Sequence, residues 1–221
     1  MKYRISQLFC SFCLLFNGLA HADLTEITRI FHQNPTLNQF EICQGGGCYE
    51  ADKVSLSEAD WLPIAKLFNP LPANAEAERK QISLAIGALE EIVGKKIGTS
   101  GDLAGTFDNS AYKGQQDCND EAINSTTYMR LLQQKGYLKF HVIEDMHTRN
   151  FFFTGWPHTT AVILESKSGD RFAVDSWFYD NGHAATIVPF AQWKNNYKPD
   201  DSPIGKVRKK DSNIQTVHVN Q

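Results

Sequence analysis

The chain has 221 residues, 42% of them hydrophobic and 21% charged, a balance that excludes a disordered or fibrous protein and leaves room for one sizeable core. A formal net charge of −3 argues against a nucleic-acid binder.

The first residues read as an export signal. Lys2 and Arg4 precede the apolar run Leu8 to Phe16, and Ala20-His21-Ala22 fits a small-x-small cleavage site, so the mature chain is expected to begin at Asp23. The apolar run is too short to span a bilayer, and nothing later approaches that length. Without Lys2 and Arg4 the 22 basic residues fall to 20 against 25 acidic ones, a net of −5. The basic run Lys206 to Lys210 reads as a solvated tail. An exported location, periplasmic or secreted, is the expectation. One domain should then occupy residues 23–221, with a helical part over about 23–97, a core over about 98–197 and a polar C-terminal tail.

In chain order, Leu24, Ile27, Ile30 and Phe31 have helical spacing, and Pro35 marks the stop. Phe40 to Glu50 reads as two short strands about a glycine turn, with Cys43 and Cys48 placed to staple it. A metal-binding Cys-x4-Cys is the rival reading, but no second ligand pair stands at suitable spacing. Of the five cysteines, Cys10 and Cys13 fall in the signal, and in an oxidising compartment two of the other three should pair and leave one free. Ser57-Glu-Ala-Asp60 resembles a capping box, and Trp61, Ile64, Ala65 and Phe68 form a helical face behind it. A longer helix is predicted from Ala75 to about Lys96, with Ile82, Ala85, Ile86, Leu89, Ile92 and Val93 on its inner stripe and Glu76, Glu78, Lys80 and Glu90 outside. Residues 98–105, rich in Gly, Ser and Thr, should be a loop.

Cys118, Ala122, Ser125, Met129 and Leu132 recur at intervals of 4, 3, 4 and 3, so a helix is predicted from about Asp117 to Gln134 with Cys118 opening its inward stripe. Asp117 is a fitting N-cap, Asp120 and Glu121 put acid in the first turn, and Lys135-Gly136 ends the helix. The positive end of the helix lowers a thiol's pKa, while the neighbouring carboxylates oppose that, so a basic partner is needed. Downstream, Leu138 to Glu144, Phe151-Phe-Phe-Thr154, His158 to Leu164 and Arg171 to Phe178 read as strands, with a turn at Ser166 to Asp170. Antiparallel pairing across that turn brings His158 and Asp175 to one end of a hairpin. Asp180-Asn181-Gly182 makes a turn, Thr186 to Pro189 an edge strand and Phe190 to Tyr197 a short helix. Helices first and strands after define an α+β fold with an antiparallel sheet.

Taken together, Asp117-Cys118-x-Asp120-x-Ala122, Leu131-Leu132-x-x-x-Gly136, the His158-led strand and Val174-Asp175 resemble the transglutaminase-like cysteine peptidase superfamily, and within it the bacterial periplasmic transglutaminase-like cysteine peptidases. The likeness covers about Glu76 to Phe178. It implies a papain-like core, a Cys-bearing helix on a sheet that bears His and Asp, with Cys118 as nucleophile, His158 as base and Asp175 as orienting acid. The oxyanion of such chemistry would be met by the Cys118 N–H and a second donor from Gln115, Gln116 or Trp156. The resemblance also implies calcium on acidic residues flanking the cysteine, here Asp117 and Asp120 with Glu121, although helix capping explains the same carboxylates and Asn119 departs from the acid usual at its position. The strand after His158 lacks the aromatic that cross-linking members carry two residues on, so hydrolysis of a protein or peptide acyl group is expected over amide ligation. An acyl-transferring cross-linker and a non-catalytic binding module that keeps the fold are the alternatives. The other histidines, His32, His141, His147, His183 and His218, lack metal-ligand spacing with acidic partners, and His183, the nearest rival base, follows a turn.

Overall fold

The computed structural model describes residues 24–107, 113–150 and 157–206. The expected signal, the Phe151 to Thr154 strand, Trp156, His218 and most of the basic tail lie outside them. The elements are α1 (Leu24–Phe31), β1 (Phe40–Gln44), β2 (Glu50–Val54), α2 (Glu58–Leu67), α3 (Ala75–Ile97), α4 (Cys118–Gln134), β3 (His141–Arg149), β4 (His158–Glu165), β5 (Arg171–Asp175), β6 (Thr186–Pro189) and α5 (Phe190–Lys194). The fold is α+β with two antiparallel sheets, the pair β1-β2 and the four-stranded order β3-β4-β5-β6.

Local chemistry accounts for the boundaries. Ser57 and Asp60 exchange the side-chain and backbone bonds of a capping box at α2, Asn74 caps α3, and Gly98 takes φ +87° to end it, a left-handed conformation that favours glycine. Cys43 and Cys48 form a disulfide across the glycine turn. β3 begins later than the sequence predicted, at His141, because the buried Glu78 carboxylate gathers the backbone N–H groups of Lys139, Phe140 and His141 and the His141 ring before the ladder starts. α5 ends at Lys194 rather than Tyr197.

α4 is the centre of the molecule. Rather than presenting one stripe inward, it is buried from Asp120 through Met129, because β1, β3, β4, β5, α1 and α3 all pack on it. Asn124, expected off the inner stripe, is 1% exposed and brackets Cys43, accepting its N–H at 2.8 Å and donating to its C=O at 2.8 Å. Glu78 and Glu90, expected on the outer face of α3, are likewise buried, since that helix carries neighbours on two sides. The main core joins Ile82, Ile86 and Leu89 of α3 to Met129 and Leu132 of α4 and Ala161, Ile163 and Val174 of the sheet.

Gly87 marks a close approach between α3 and the segment before β6. A Cβ there would lie 2.6 Å from the His183 carbonyl oxygen, while Ser83 accepts the Ala185 N–H at 3.1 Å through its own carbonyl. Gly87→Ala is expected to destabilise the chain by ~1–3 kcal/mol through overpacking, although it raises helix propensity. Chemical denaturation measures this; an unchanged or higher midpoint refutes it.

Candidate active site

The start of α4 is fixed from two directions. Asp117 accepts the N–H groups of Asn119 (2.9 Å) and Asp120 (3.0 Å), and Asp120 returns the bond by accepting from the Asp117 N–H at 3.1 Å. The Asp120 carboxylate also takes the N–H of Gly46 (2.8 Å) and Cys48 (2.6 Å), which ties the disulfide loop to the helix. Gly114 enters this turn at φ +83°, where any Cβ would lie 2.6 Å from the Gly98 carbonyl oxygen. Cys118 thus sits on a terminus held by an acid, a disulfide and a close backbone contact. Its thiol is free and 4% exposed.

β4 and β5 supply the next two groups. The register Ala161↔Val174 sets His158 and Asp175 diagonally at one end of the pair, where His158 Nε2 lies 2.7 Å from Asp175 Oδ2. Both side chains are buried. Trp177 (4.5 Å between ring centres), Phe178 (5.5 Å) and Trp193 (5.7 Å) surround the imidazole with tilted rings. With Nε2 on Asp175, the buried Nδ1 has no hydrogen-bond partner among the described residues. The Thr159 N–H, next along β4, and the Asp175 carboxylate of β5 both act on the Cys118 thiol, the first lowering its pKa and the second raising it, so the sulfur lies near the end of the strand that begins with His158. The three residues singled out from sequence therefore converge.

Electrostatics around the sulfur oppose a free thiolate. Burial pushes the Cys118 thiol up to about 12, with Asp117, Asp175 and Asp120 adding to the rise and the Thr159 N–H working against it. The expectation that the helix terminus lowers this value is outweighed by desolvation. An adjacent proton acceptor is the remaining way to create the anion.

Glu121 belongs to another cluster. It accepts from Ser176 Oγ at 2.5 Å, and with Glu90 of α3 and Asp102 of the preceding loop it forms a buried carboxyl group set behind the helix start. Burial, then mutual repulsion, raises Asp102 to about 9 and Glu90 well above its ordinary value; burial raises Glu121 to about 7. Asp102 also accepts the Gln116 N–H at 2.7 Å, which links this cluster to the Cys118 segment. Asp117, Asp120 and Glu121 consequently do not present their oxygens to one ion. Among the described residues no group of three or more His, Cys, Asp or Glu side chains is placed to hold a metal. That donor set does not fit calcium, and no step below uses it.

The side-chain oxyanion candidates are also engaged elsewhere. Gln116 Nε2 donates to the Cys43 carbonyl at 2.9 Å, and Gln115 Nε2 donates to the Gly101 carbonyl at 2.8 Å while its Oε1 accepts from Leu103 and Thr106. Both glutamines brace loops rather than facing the thiol. The Cys118 N–H lies in the first turn, where a helix offers no acceptor of its own.

Sequence spacing did not flag Trp177, Trp193 or Arg149 as part of this site. Trp177 was visible as an aromatic two residues past Asp175, whereas no local pattern relates residues 149 or 193 to it. Two open surface clefts, along Ile143–His147 with Arg171 and along Tyr179–His183 with Pro203, are lined by none of the three converging residues. His147 and His183 therefore belong to other surfaces. No protein-family model, curated protein or solved structure matches the chain.

Proposed function

We propose that the protein is an exported cysteine hydrolase of the papain-like, transglutaminase-like kind, acting on a peptide or protein acyl group through Cys118, His158 and Asp175. The observation that carries this reading is the His158 ring, bonded through Nε2 to a buried carboxylate, with Nδ1 left unpartnered at the end of the strand near which the only unpaired cysteine among the described residues lies. A buried imidazole nitrogen without a partner is costly unless it has a use. The Cys43–Cys48 disulfide supports an oxidising compartment, in which an unpaired thiol is unusual.

In this reading an ionised Asp175 keeps the proton on Nε2, and Nδ1 accepts the thiol proton as Sγ attacks the acyl carbon. The C–S bond forms, the carbonyl oxygen becomes anionic beside the Cys118 N–H, and collapse breaks the C–N bond while His158 returns the proton to the leaving amine. Water, deprotonated at Nδ1, then cleaves the thioester and restores the thiol. Acyl transfer to an amine shares every step but the last.

Incubation of the mature protein with iodoacetamide across pH 5–10, with the adduct mapped by mass spectrometry, tests the reading together with cleavage of an unfolded protein substrate. Reaction at Cys118 below pH 7 that is lost in His158→Ala supports it. Identical profiles in both proteins, with no cleavage, would overturn it.

A further inference from the structure

Asp175 Oδ2 does not serve His158 alone. The Trp193 indole Nε1 donates to the same oxygen at 2.7 Å, equal to the 2.7 Å contact from His158 Nε2. Trp193 is 0% exposed, so no water can replace its donor. It stands on α5, a helix of only five residues with no side-chain cap, far too short to hold its own geometry. What fixes it is Arg149, the last residue of β3. The buried guanidinium donates through Nη1 to the Trp193 carbonyl and through Nη2 to the Tyr197 carbonyl at 3.0 Å, and lies 4.7 Å from the indole centre. Arg149 faces His158 in the β3-β4 register, which places its charge beside the site. Burial lowers its pKa, with Asp175 and Cys118 pulling the other way.

We propose that Trp193 is a positioning residue: its indole N–H holds Asp175 Oδ2 toward His158, and Arg149 clamps Trp193 in place, so the β3 end, α5 and the β5 end act as one brace. The inference rests on the hydrolase reading, which supplies the purpose of the brace. Two donors on one oxygen restrain rotation of the carboxylate about its terminal torsion, which is otherwise broad. Held that way, Oδ2 meets the Nε2–H that His158 keeps while Nδ1 takes the thiol proton. Six ionisable groups stand around this brace: His158 on β4, Arg149 and His147 on β3, the latter's ring 6.4 Å from that of Trp193, Cys118 and Glu121 on α4, and Asp175 itself on β5. Only Arg149 is permanently positive, which makes it the counter-charge of the set.

The test is Trp193→Phe, which keeps the ring and removes the N–H, measured alone and combined with Asp175→Asn. Loss of a hydrogen bond to a charged group should lower the rate of Cys118 alkylation at pH 6 by roughly tenfold to a hundredfold. In the Asp175→Asn background the same substitution should change nothing further, an outcome that general loosening does not produce. A wild-type rate, or effects that add in the double variant, overturns the proposal. The indole resonance reads the bond without activity: the Nε1–H signal of Trp193, assigned sequentially in the wild-type protein, should resist solvent exchange and shift in Asp175→Asn. A signal unmoved by Asp175→Asn also overturns the proposal, even if Trp193→Phe proves unfolded. Should wild type and His158→Ala alkylate alike while the indole signal behaves as expected, the hydrolase reading fails and the Trp193–Asp175 brace stands.

Discussion

His158→Ala is expected to lower acyl-substrate turnover by at least ~10³-fold, close to the loss in Cys118→Ala. Two effects multiply. A thiol held up to about 12 has, on its own, a thiolate fraction of roughly 10⁻⁴ to 10⁻⁵ at pH 7.5. Part of that deficit is recovered because a more basic thiolate attacks faster, with a Brønsted slope of about 0.4–0.5. The second effect is not recovered: without His158 no group delivers a proton to the leaving amine, worth ~10²–10⁴ in rate. Wild-type alkylation should proceed below pH 7, whereas His158→Ala should alkylate only as pH climbs past about 9 and the isolated thiol begins to ionise. Melting temperatures must stay close, since the His158 ring contributes packing as well as chemistry. Retained turnover in a folded Cys118→Ala protein would show that these residues build the core instead.

How much of this was legible in the sequence follows from the range of each interaction. The elements were readable because their causes are local: the Pro35 stop, the Ser57–Asp60 box, the Cys118 periodicity and the Ser166 to Asp170 turn all act within a few residues. Convergence of Cys118, His158 and Asp175 was also readable, because a hairpin fixes one pair and helix-on-sheet packing the other. What the sequence hid depends on crowding around α4. Periodicity assigns a helix one wet face, and α4 has none over its middle, while α3 is covered on two sides, so spacing alone puts Asn124 and Glu90 off the inner stripes although each is buried with partners. Gln115 and Gln116 were candidate donors by proximity in the chain, but Gly101 of the preceding loop and Cys43 of β1 accept their amides instead. Trp193 and Arg149 reach the site through α5 and the end of β3, a juxtaposition that no spacing encodes.

The carboxyl cluster predicts the pH dependence of stability. Glu90, Asp102 and Glu121 have folded values above their ordinary ones, so each binds a proton more tightly folded than unfolded. Their contribution is therefore fully present below about pH 4, the unfolded carboxylate range, and is lost as pH rises through the folded values of about 7 for Glu121 and about 9 for Asp102. Asp60 is held down to about 2, first by the Ser57 N–H, and so matters only in stronger acid. The melting temperature should thus peak between about pH 4 and 6 and fall by several degrees toward pH 9. Glu121 sits at the middle of the cluster, accepting from Ser176 Oγ at 2.5 Å and bonding Asp102 and Glu90. Glu121→Gln keeps an oxygen for Ser176, turns an amide toward the remaining carboxyls and removes a buried charge. Its expected effect is a flatter profile, with stability at pH 8.5 above wild type by ~1–3 kcal/mol and near equality at pH 5. Calorimetry of both proteins from pH 4 to 9 decides it. A Gln variant less stable than wild type at pH 8.5 would mean that Glu121 is held as a well-satisfied anion, and that the cluster is a structural hub rather than a pH-sensitive weak point behind the Cys118 helix.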